Sequence, residues 1–272
     1  MTSSQPTLAF FGATGGCAAN ALALALKDGY KVSALARTPS KLRTLLETEH
    51  KISPSTLDSN LTIIQGSIKD STPVKQTLAP SNVPASIIVS GIGATPKFEL
   101  STTPIYMDDP HVVADGITTV LNSLRELRRE GVISDAQKPM FCTISTTGIS
   151  KNRDVPYAYY GLYHLALAIP HKDKKLAEQL VASAAMETGP EAPISGFVFP
   201  RPTLLKGGPA KGLGNIKAGW EKHPDALGAA EGESTVAAMG YSISRADVGL
   251  WIFENVIKGG RAWSGRCVSL TT

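Results

Sequence analysis

The sequence predicts an α/β protein in which a parallel sheet is covered by helices on both faces. Short apolar runs alternate with helical patterns along the chain, and this alternation is typical of such a sheet. Several of the runs are apolar almost throughout, as strands buried on both faces are. A glycine-rich turn lies between the first two runs and opens a helix. These three observations together predict a doubly wound sheet.

The first predicted unit extends from Leu8 to Ala36. Its first strand is Leu8-Ala9-Phe10-Phe11, and its helix extends from Ala19 to Lys27. Asp28-Gly29 breaks the helix before a second strand, Val32 to Ala36. Strand, glycine turn, helix and strand in this order form a βαβ unit of the kind that binds nucleotides.

The turn between the first strand and the helix has the spacing G-x-x-G-x-x-A. Gly12 ends the strand where the chain bends, and Gly15 lets the backbone approach a phosphate because it has no Cβ. Ala18 lies where the helix packs against the strand, so a small residue is needed there. The free N–H groups of the helix N-terminus favour an anion. The turn predicts a dinucleotide cofactor, with a purely structural turn as the alternative. The residues of this turn that are predicted to contact the cofactor are Gly12, Thr14, Gly15, Gly16 and Cys17.

The residues after the second strand indicate which dinucleotide is bound. An NAD-binding chain usually has Asp or Glu about 20 residues past the turn, whereas this chain has Arg37-Thr38-Pro39-Ser40-Lys41 and no acid. A guanidinium can form two parallel hydrogen bonds to a 2′-phosphate. Arg37 and Lys41 therefore predict NADP rather than NAD. Alternatively, Thr38 caps a helix with Pro39 at its first position and the cations are solvated. Both can hold at once.

The remaining strands and helices continue the alternation. The further strands are predicted at 61–65, 86–90, 140–145, 197–199 and 268–270. The further helices are predicted from Pro39 to Glu49, from Asp109 as the cap to Glu130-Gly131, from Asp173 to Met186, and from Ser244, with Asp247 in a near capping box.

The whole chain, residues 1–272, is predicted to form one domain. The nucleotide-binding half covers about residues 1–150. In doubly wound sheets, ligands bind beyond the carboxyl ends of the strands. Three segments lie on that edge and are the predicted substrate-binding elements: 91–107, 146–170 and 200–243.

Composition narrows the range of partners. The net charge is only +4 and no basic–aromatic cluster occurs, so nucleic acid is not expected. The sequence shows neither a signal peptide nor a membrane span, and a cytoplasmic protein is expected. Cys17, Cys142 and Cys267 are scattered and form no CxxC pair, so neither a disulfide nor a metal is expected. The expected partner is a small organic molecule, and the expected state is a monomer or homodimer.

Several motifs occur in an order that resembles a known family. They are Gly12-Ala13-Thr14-Gly15, Arg37, Gln65-Gly66-Ser67-Ile68-Lys69-Asp70, Ser145-Thr146-Thr147, Asp173 to Glu178, Arg201-Pro202 and Ile243 to Val248. Over nearly the whole chain, the set resembles the atypical short-chain dehydrogenase/reductases, particularly the NmrA-like and NAD(P)-binding reductase group, which has members in fungal secondary metabolism. The resemblance implies a Rossmann-type sheet with a small C-terminal substrate-binding region. It also implies NADP(H) and hydride transfer to or from a small apolar or aromatic substrate.

One feature departs from the family pattern. Its usual members carry Tyr-x-x-x-Lys, in which the tyrosine donates a proton, but no tyrosine here has a lysine four residues on. The resemblance matches Ser145 to the family's serine at the end of the fifth strand, and Lys174 to the lysine beside the nicotinamide ribose. The candidate proton donors lie close together and are Tyr157, Tyr159, Tyr160, Tyr163 and His164, of which Tyr160 and Tyr163 are the predicted catalytic residues. The alternative is that these aromatic residues pack a loop or a dimer contact.

Further cofactor contacts are predicted on the same edge of the sheet. They are Ser67, Ser90, Gly91, Ser145, Lys174, Pro200 and Arg201. Two alternatives to an NADP(H)-dependent oxidoreductase stay open. One is a non-redox isomerase or cyclase on the same fold, which the missing Tyr-x-x-x-Lys favours. The other is a non-catalytic regulator that senses NADP.

Overall fold

A computed structural model describes residues 5–93, 96–98, 105–107, 109–149, 168–223 and 237–272. Its strands are β1 (Leu8–Phe11), β2 (Val32–Ala36), β3 (Leu61–Gln65), β4 (Ile87–Ser90), β5 (Pro96–Phe98), β6 (Ile105–Met107), β7 (Met140–Thr143), β8 (Gly196–Pro202), β9 (Leu204–Lys206), β10 (Lys217–Lys222), β11 (Ser242–Ser244) and β12 (Arg266–Thr271). Eight of them form the central sheet, in the order β10-β12-β8-β7-β4-β1-β2-β3. All neighbours in it are parallel except β10 and β12.

Helices cover both faces of this sheet. They are α1 (Gly16–Lys27), α2 (Pro39–Thr48), α3 (Pro54–Asn60), α4 (Ser71–Leu78), α5 (Val112–Arg129), α6 (Ala168–Met186) and α7 (Arg245–Ile252), which continues into a π-helical stretch, Phe253–Lys258. Apolar residues of α1, α2, α3 and α7 form one core, and those of α4, α5 and α6 form the other.

The central strand β1 shows why the apolar runs predicted this fold. Its side chains alternate between the two faces, as in any strand. Leu8 and Phe10 join the core beneath α1, whereas Ala9 and Phe11 join the core beneath α4 and α5. All four are buried. Both faces therefore require apolar residues, and the predicted fold class is confirmed.

The strand order reverses direction between β1 and β4. From β1 the chain proceeds outward through β2 and β3, and it then returns to β4 on the other side of β1. The turn after β1 and the loop after β4 meet here, and Gly91 N donates to the carbonyl of Phe11 at 2.8 Å. In this fold such a reversal opens a crevice for a ligand at the carboxyl ends of the strands.

Helix α5 begins later than predicted. Its first residue is Val112, and the predicted cap, Asp109, lies three positions before it. The carboxylate of Asp173 on α6 instead accepts hydrogen bonds from Val113 N and Ala114 N, each at 3.0 Å. Because this cap comes from a distant part of the chain, local spacing could not reveal it.

Two of the predicted substrate-binding segments contain regular structure. The segment 200–243 contributes β10, an edge strand that pairs with β12, and the segment 91–107 contains the β5–β6 hairpin. Strand β10 has the mixed sequence Lys-Ala-Gly-Trp-Glu-Lys, and its burial is mostly partial. Edge strands with one open side tolerate such polar residues, so they give no apolar signal.

The start of α7 confirms its predicted cap. The Ser244 hydroxyl accepts a hydrogen bond from Asp247 N at 2.9 Å. The Asp247 carboxylate accepts from the Ser244 hydroxyl at 2.7 Å and also from the backbone N–H groups of Lys211 and Gly212. The cap thereby also holds the segment that leads into β10. Within the described ranges, no helix combines the length and apolar character needed to cross a bilayer.

Candidate functional site

The glycine turn is in close contact with the loop after β4. Gly12 has a φ of +68°, and a Cβ there would lie 2.6 Å from the carbonyl carbon of Gly91. A Cβ on Gly91 would lie 2.7 Å from the Cβ of Ala18, so both neighbours of that contact must be small. The positive φ accounts for the glycine expected at the bend after β1, and Ala18 packs on Gly91 at the end of β4.

The N-terminus of α1 is open toward this turn. Gly15 is the N-cap residue, and because it has no side chain it leaves the first N–H groups without a side-chain acceptor. No acidic residue occupies the first turn of the helix. Donors without acceptors and a positive dipole end suit a phosphate group. This geometry therefore fits a dinucleotide pyrophosphate.

A cleft of about 730 Å³ extends from the glycine turn along the carboxyl ends of β1, β2 and β3. Its volume lies in the usual range for small-molecule sites. The residues that line it include Gly12, Thr14, Gly15, Arg37, Lys41, Ser67, Lys69, Gly91, Ile92 and Asp109. Seven predicted contacts are thus brought to one cleft from separate parts of the sequence: Gly12, Thr14 and Gly15 of the turn, Arg37, Lys41, Ser67 and Gly91.

The cations of the cleft differ in whether they are paired. Lys69 Nζ lies 2.6 Å from Asp109 Oδ2. Arg37 and Lys41 are exposed and, among the residues that the structure describes, form neither an ion pair nor a side-chain hydrogen bond. Thr38 is the N-cap residue of α2 with Pro39 following it, but its side chain makes no capping hydrogen bond. Arg37 and Lys41 are therefore available to an anion.

Lys174 on α6 joins the loops that follow β4 and β7. Its ammonium donates to the carbonyl of Ile92 at 2.8 Å and to that of Ile144 at 2.6 Å. Burial lowers the pKa of Lys174 to about 8, against the opposing effect of Asp173 and Glu178. An ammonium has three N–H donors, so one has no acceptor among the described residues and is a candidate to bind a ligand.

Buried hydroxyl groups lie at the ends of the same two strands. Ser90 ends β4, Thr143 is its neighbour in the register of β7, and Ser145 follows two residues later. All three are at most 6% exposed. In the described part of the chain, their hydroxyl oxygens have no hydrogen-bond partner. Because buried hydroxyls are usually paired, these are candidates for binding a polar ligand group.

Cys17 lies in the first turn of α1, where the sequence predicts a cofactor contact. Burial raises the pKa of its thiol to about 12, so the thiol is protonated at neutral pH. Cys142 and Cys267 are buried as well, and all three thiols are free. Cys17 is therefore suited to packing beside the turn rather than to nucleophilic or redox chemistry.

Arg201, which the sequence predicts as a cofactor contact, is already bound to acids of this chain. The residue lies inside β8 and is only 4% exposed. Its guanidinium donates to both carboxylate oxygens of Glu178, at 3.0 and 2.6 Å, and to Glu221 at 2.5 Å. Strand β8 continues through Pro202, so Pro200 also lies in the sheet. The acids that bind Arg201 come from α6 and β10, and the sequence around Arg201 gives no sign of them.

The predicted proton donors, Tyr160 and Tyr163, lie outside the described residues. Among the residues that are described, the other two predicted catalytic residues, Lys174 and Ser145, lie by the ends of β4 and β7, whereas Arg37 follows β2 on the other side of β1. Sequence reasoning missed Asp173, which caps α5 from the position next to Lys174. An acid beside the predicted catalytic lysine was the available signal.

Curated relatives match the chain over its full length. It is 42% identical to the reductase pytE of Aspergillus terreus over 283 residues, which cover 100% of both chains. It is 36% identical to the oxidase pynE of Aspergillus niger over 297 residues, which cover 98% of this chain and 99% of that one. No family model matches the sequence.

Solved structures share the fold at low identity. One is the protein ChuY of Escherichia coli O157:H7, described as an anaerobillin reductase, with a TM-score of 0.58, 18% identity and coverage of 98% and 96% of the two chains. Another is the oxidoreductase ylbE of Lactococcus lactis, with a TM-score of 0.61, 14% identity and coverage of 98% and 90%. Together with the full-length relatives, the glycine turn and the strand order, this likeness confirms the family that the ordered motifs predict: the chain belongs to the atypical short-chain dehydrogenase/reductases, a family of oxidoreductases.

Proposed function

We propose that the chain is an NADP(H)-dependent oxidoreductase that acts on a small apolar or aromatic organic substrate. One observation carries the choice of cofactor: Arg37 and Lys41 line the cleft at the end of β2 with no partner among the described residues. An NAD site would have a carboxylate there for the ribose hydroxyl. A guanidinium without a partner suits the 2′-phosphate of NADP.

The chain's own residues bind the cofactor along the cleft. The turn around Gly15 and the N-terminus of α1 hold the pyrophosphate, Arg37 and Lys41 hold the 2′-phosphate, and Ser67, in the loop after β3, lines the same cleft. The bound nicotinamide supplies or accepts the hydride.

Lys174 and Ser145 act where the nicotinamide and the substrate meet. Lys174 is already held by two carbonyl groups, and its third N–H is directed to the ribose of the nicotinamide. Ser145 offers a buried hydroxyl to the substrate oxygen. Tyr160 or Tyr163 supplies the proton, and the positive charge of Lys174 eases ionisation of the phenol.

The relatives support redox chemistry without fixing its direction. One is named a reductase and the other an oxidase, both are fungal, and both match this chain over nearly its full length. A place in fungal secondary metabolism and in the NmrA-like group agrees with these relatives. The absence of Tyr-x-x-x-Lys favours one rival, a non-redox isomerase or cyclase on the same fold.

Titration calorimetry with NADPH and NADH tests the choice of cofactor. Arg37→Ala removes a hydrogen bond to a charged group, so NADPH affinity should fall by about 1.5–3 kcal/mol, and NADH affinity should hardly change. Equal affinity of the wild type for both cofactors would contradict the proposal.

Stopped-flow measurement of NADPH oxidation, with a panel of quinones, enones and imines, tests the chemistry. Oxidation of NADPH in step with product formation supports the oxidoreductase. Product formation without any net change in NADPH supports the non-redox rival. The absence of turnover, with NADPH altering the binding of a partner protein, supports a sensor.

A further inference from the structure

Two helices lie side by side at the glycine turn. A Cβ on Gly249 of α7 would lie 2.4 Å from the Cβ of Asn20 and 2.9 Å from Ala21 N, both on α1. One turn earlier, a Cβ on Gly16 would lie 2.4 Å from the Cδ of Arg245. The two helices are therefore parallel and in contact, and their N-termini lie together at the carboxyl edge of the sheet.

This contact fixes the position of the Arg245 side chain, and the guanidinium is available to a ligand. Its aliphatic carbons pack over Gly16, the first residue of α1, where any side chain would displace them. The residue is exposed, and in the described part of the chain it forms neither an ion pair nor a side-chain hydrogen bond. The nearest acid in sequence, Asp247, is occupied by Ser244 and by the backbone of 211–212.

Helix α7, which begins at Arg245, packs against β8, on the opposite side of β1 from β2 and Arg37. The Arg245 side chain packs on Gly16, next to Cys17 in the first turn of α1, and the charges of Arg245 and Lys174 oppose the rise that burial causes in the pKa of the Cys17 thiol. Lys174 bonds the loops after β4 and β7, whereas Arg37 follows β2 on the other side of β1.

We infer that Arg245 is a second phosphate-binding residue, which holds the pyrophosphate of the dinucleotide on the nicotinamide side of the glycine turn. This inference rests on the proposed function. A guanidinium presents a planar fork of N–H donors that matches two phosphate oxygens. Gly16 then has two roles. Its N–H is open to the phosphate, and its lack of a Cβ leaves room for the Arg245 side chain beside the phosphate.

Arg37 and Arg245 contact different phosphate groups of the cofactor, and ligands that carry only one of these groups can test this. Arg37 contacts a group that only NADP(H) carries, whereas Arg245 contacts a group that NADPH, NADH and ADP all carry. The probe 2′-AMP has the 2′-phosphate but no pyrophosphate. Each arginine therefore predicts a different pattern of lost affinity.

The variant Arg245→Gln keeps part of the aliphatic chain that packs on Gly16 and removes the charge. We expect it to weaken NADPH, NADH and ADP by a similar factor, about 10- to 100-fold, the scale of a hydrogen bond to a charged group. Binding of 2′-AMP should be unchanged. Arg37→Gln should give the reverse pattern, with loss of 2′-AMP and NADPH but not of NADH. Affinities are measured by calorimetry at one fixed salt concentration.

Arg261→Gln is the matched control, because Arg261 is an exposed arginine whose bond to the carbonyl of Ser195 places it at the opposite, amino edge of the sheet. It should leave every affinity unchanged. Unaltered binding of NADPH and ADP by Arg245→Gln, or an equal loss of 2′-AMP and ADP, overturns the inference while the proposed function stands. A wild type that binds no dinucleotide overturns both. Melting curves of each variant ensure that only folded protein is compared.

Discussion

Arg37 and Arg201 both lie at the carboxyl edge of the sheet, and from sequence both were predicted to bind the cofactor. Arg37 is exposed at the cleft and has no partner among the described residues. Arg201 is buried and bound by Glu178 and Glu221. The same side chain near the ends of two strands is thus open to a ligand in one half of the molecule and is part of the core in the other.

The difference comes from acids that other elements supply. Glu178 reaches Arg201 from α6, and Glu221 reaches it from the edge strand β10. No carboxylate reaches Arg37 from the described residues around β2 and β3. An arginine that follows a strand is thus a candidate ligand residue only while the neighbouring elements leave it without an acid.

Removing the buried partner should have the largest effect. Glu178→Ala leaves the guanidinium of Arg201 buried with one acid fewer. Breaking a buried ion pair in this way costs about 3–5 kcal/mol of unfolding free energy, which urea denaturation would measure. A loss below about 1 kcal/mol would show that the pair behaves like one on the surface.

A double replacement, Glu178→Leu with Arg201→Met, is the control for this experiment. It removes both charges of the buried pair and should recover most of the lost stability, because Glu221, which also loses its partner, is partly exposed to water. Its NADPH affinity should equal that of the wild type, because Arg201 is not among the residues proposed to bind the cofactor. A weaker affinity in the folded double variant would return Arg201 to the cofactor site.

Lys174 is intermediate between Arg37 and Arg201: it is a buried cation whose partners, in the part of the chain that the structure describes, are carbonyl groups rather than acids. Since burial lowers its pKa to about 8, its charge and one donor are lost as the pH rises through that value. NADPH affinity should then fall about tenfold between pH 7 and 9.5, the loss of one charged hydrogen bond. Fluorescence titration would follow it, and Lys174→Met should bind weakly with no such step.

The lowered pKa of Lys174 also determines in which direction the free energy of unfolding changes with pH. An unfolded lysine keeps its proton up to a pKa of about 10.4, so above pH 8 the unfolded chain binds more protons than the folded one. The contribution of Lys174 to stability therefore rises with pH between those values. A stability profile in which Lys174→Met and the wild type run parallel over this range would contradict the lowered pKa.

The smallest effect is expected at Lys69, which lines the cleft but is paired with Asp109. If pairing decides which cations serve the ligand, Asp109→Asn should release Lys69 and raise NADPH affinity about two- to fivefold at low salt. The gain should vanish in high salt. An unchanged affinity at low salt would show that Lys69 lies too far from the bound phosphates.

What the sequence predicted well depends on local spacing. The first βαβ unit follows from neighbouring residues, and so do the small residues Gly12 and Ala18 and the cap at Ser244. These features need only the period of a strand or helix and the conformational freedom of glycine. The fold class followed because such units repeat along the chain.

What the sequence missed depends on contacts between distant residues. The cap on α5 comes from Asp173, and the pairing of Arg201 needs acids from two other elements. Arg245 reaches the glycine turn only because α7 packs beside α1. The spacing of residues along the sequence does not reveal these contacts, because each depends on how separate helices pack on the sheet.

Three such contacts between distant residues are made within six residues near the start of α6, Asp173 to Glu178. Asp173 holds α5, Lys174 holds the loops after β4 and β7, and Glu178 holds β8. One residue inserted between Lys174 and Glu178 would rotate the two ends by about 100° relative to each other, and the three contacts could not all persist. Relatives can therefore exchange the chain ahead of Asp173, or change its length, while this stretch must keep its register. A chimera that takes residues 150–167 from such a relative would thus alter the predicted substrate side and leave the anchors of the cofactor side unchanged.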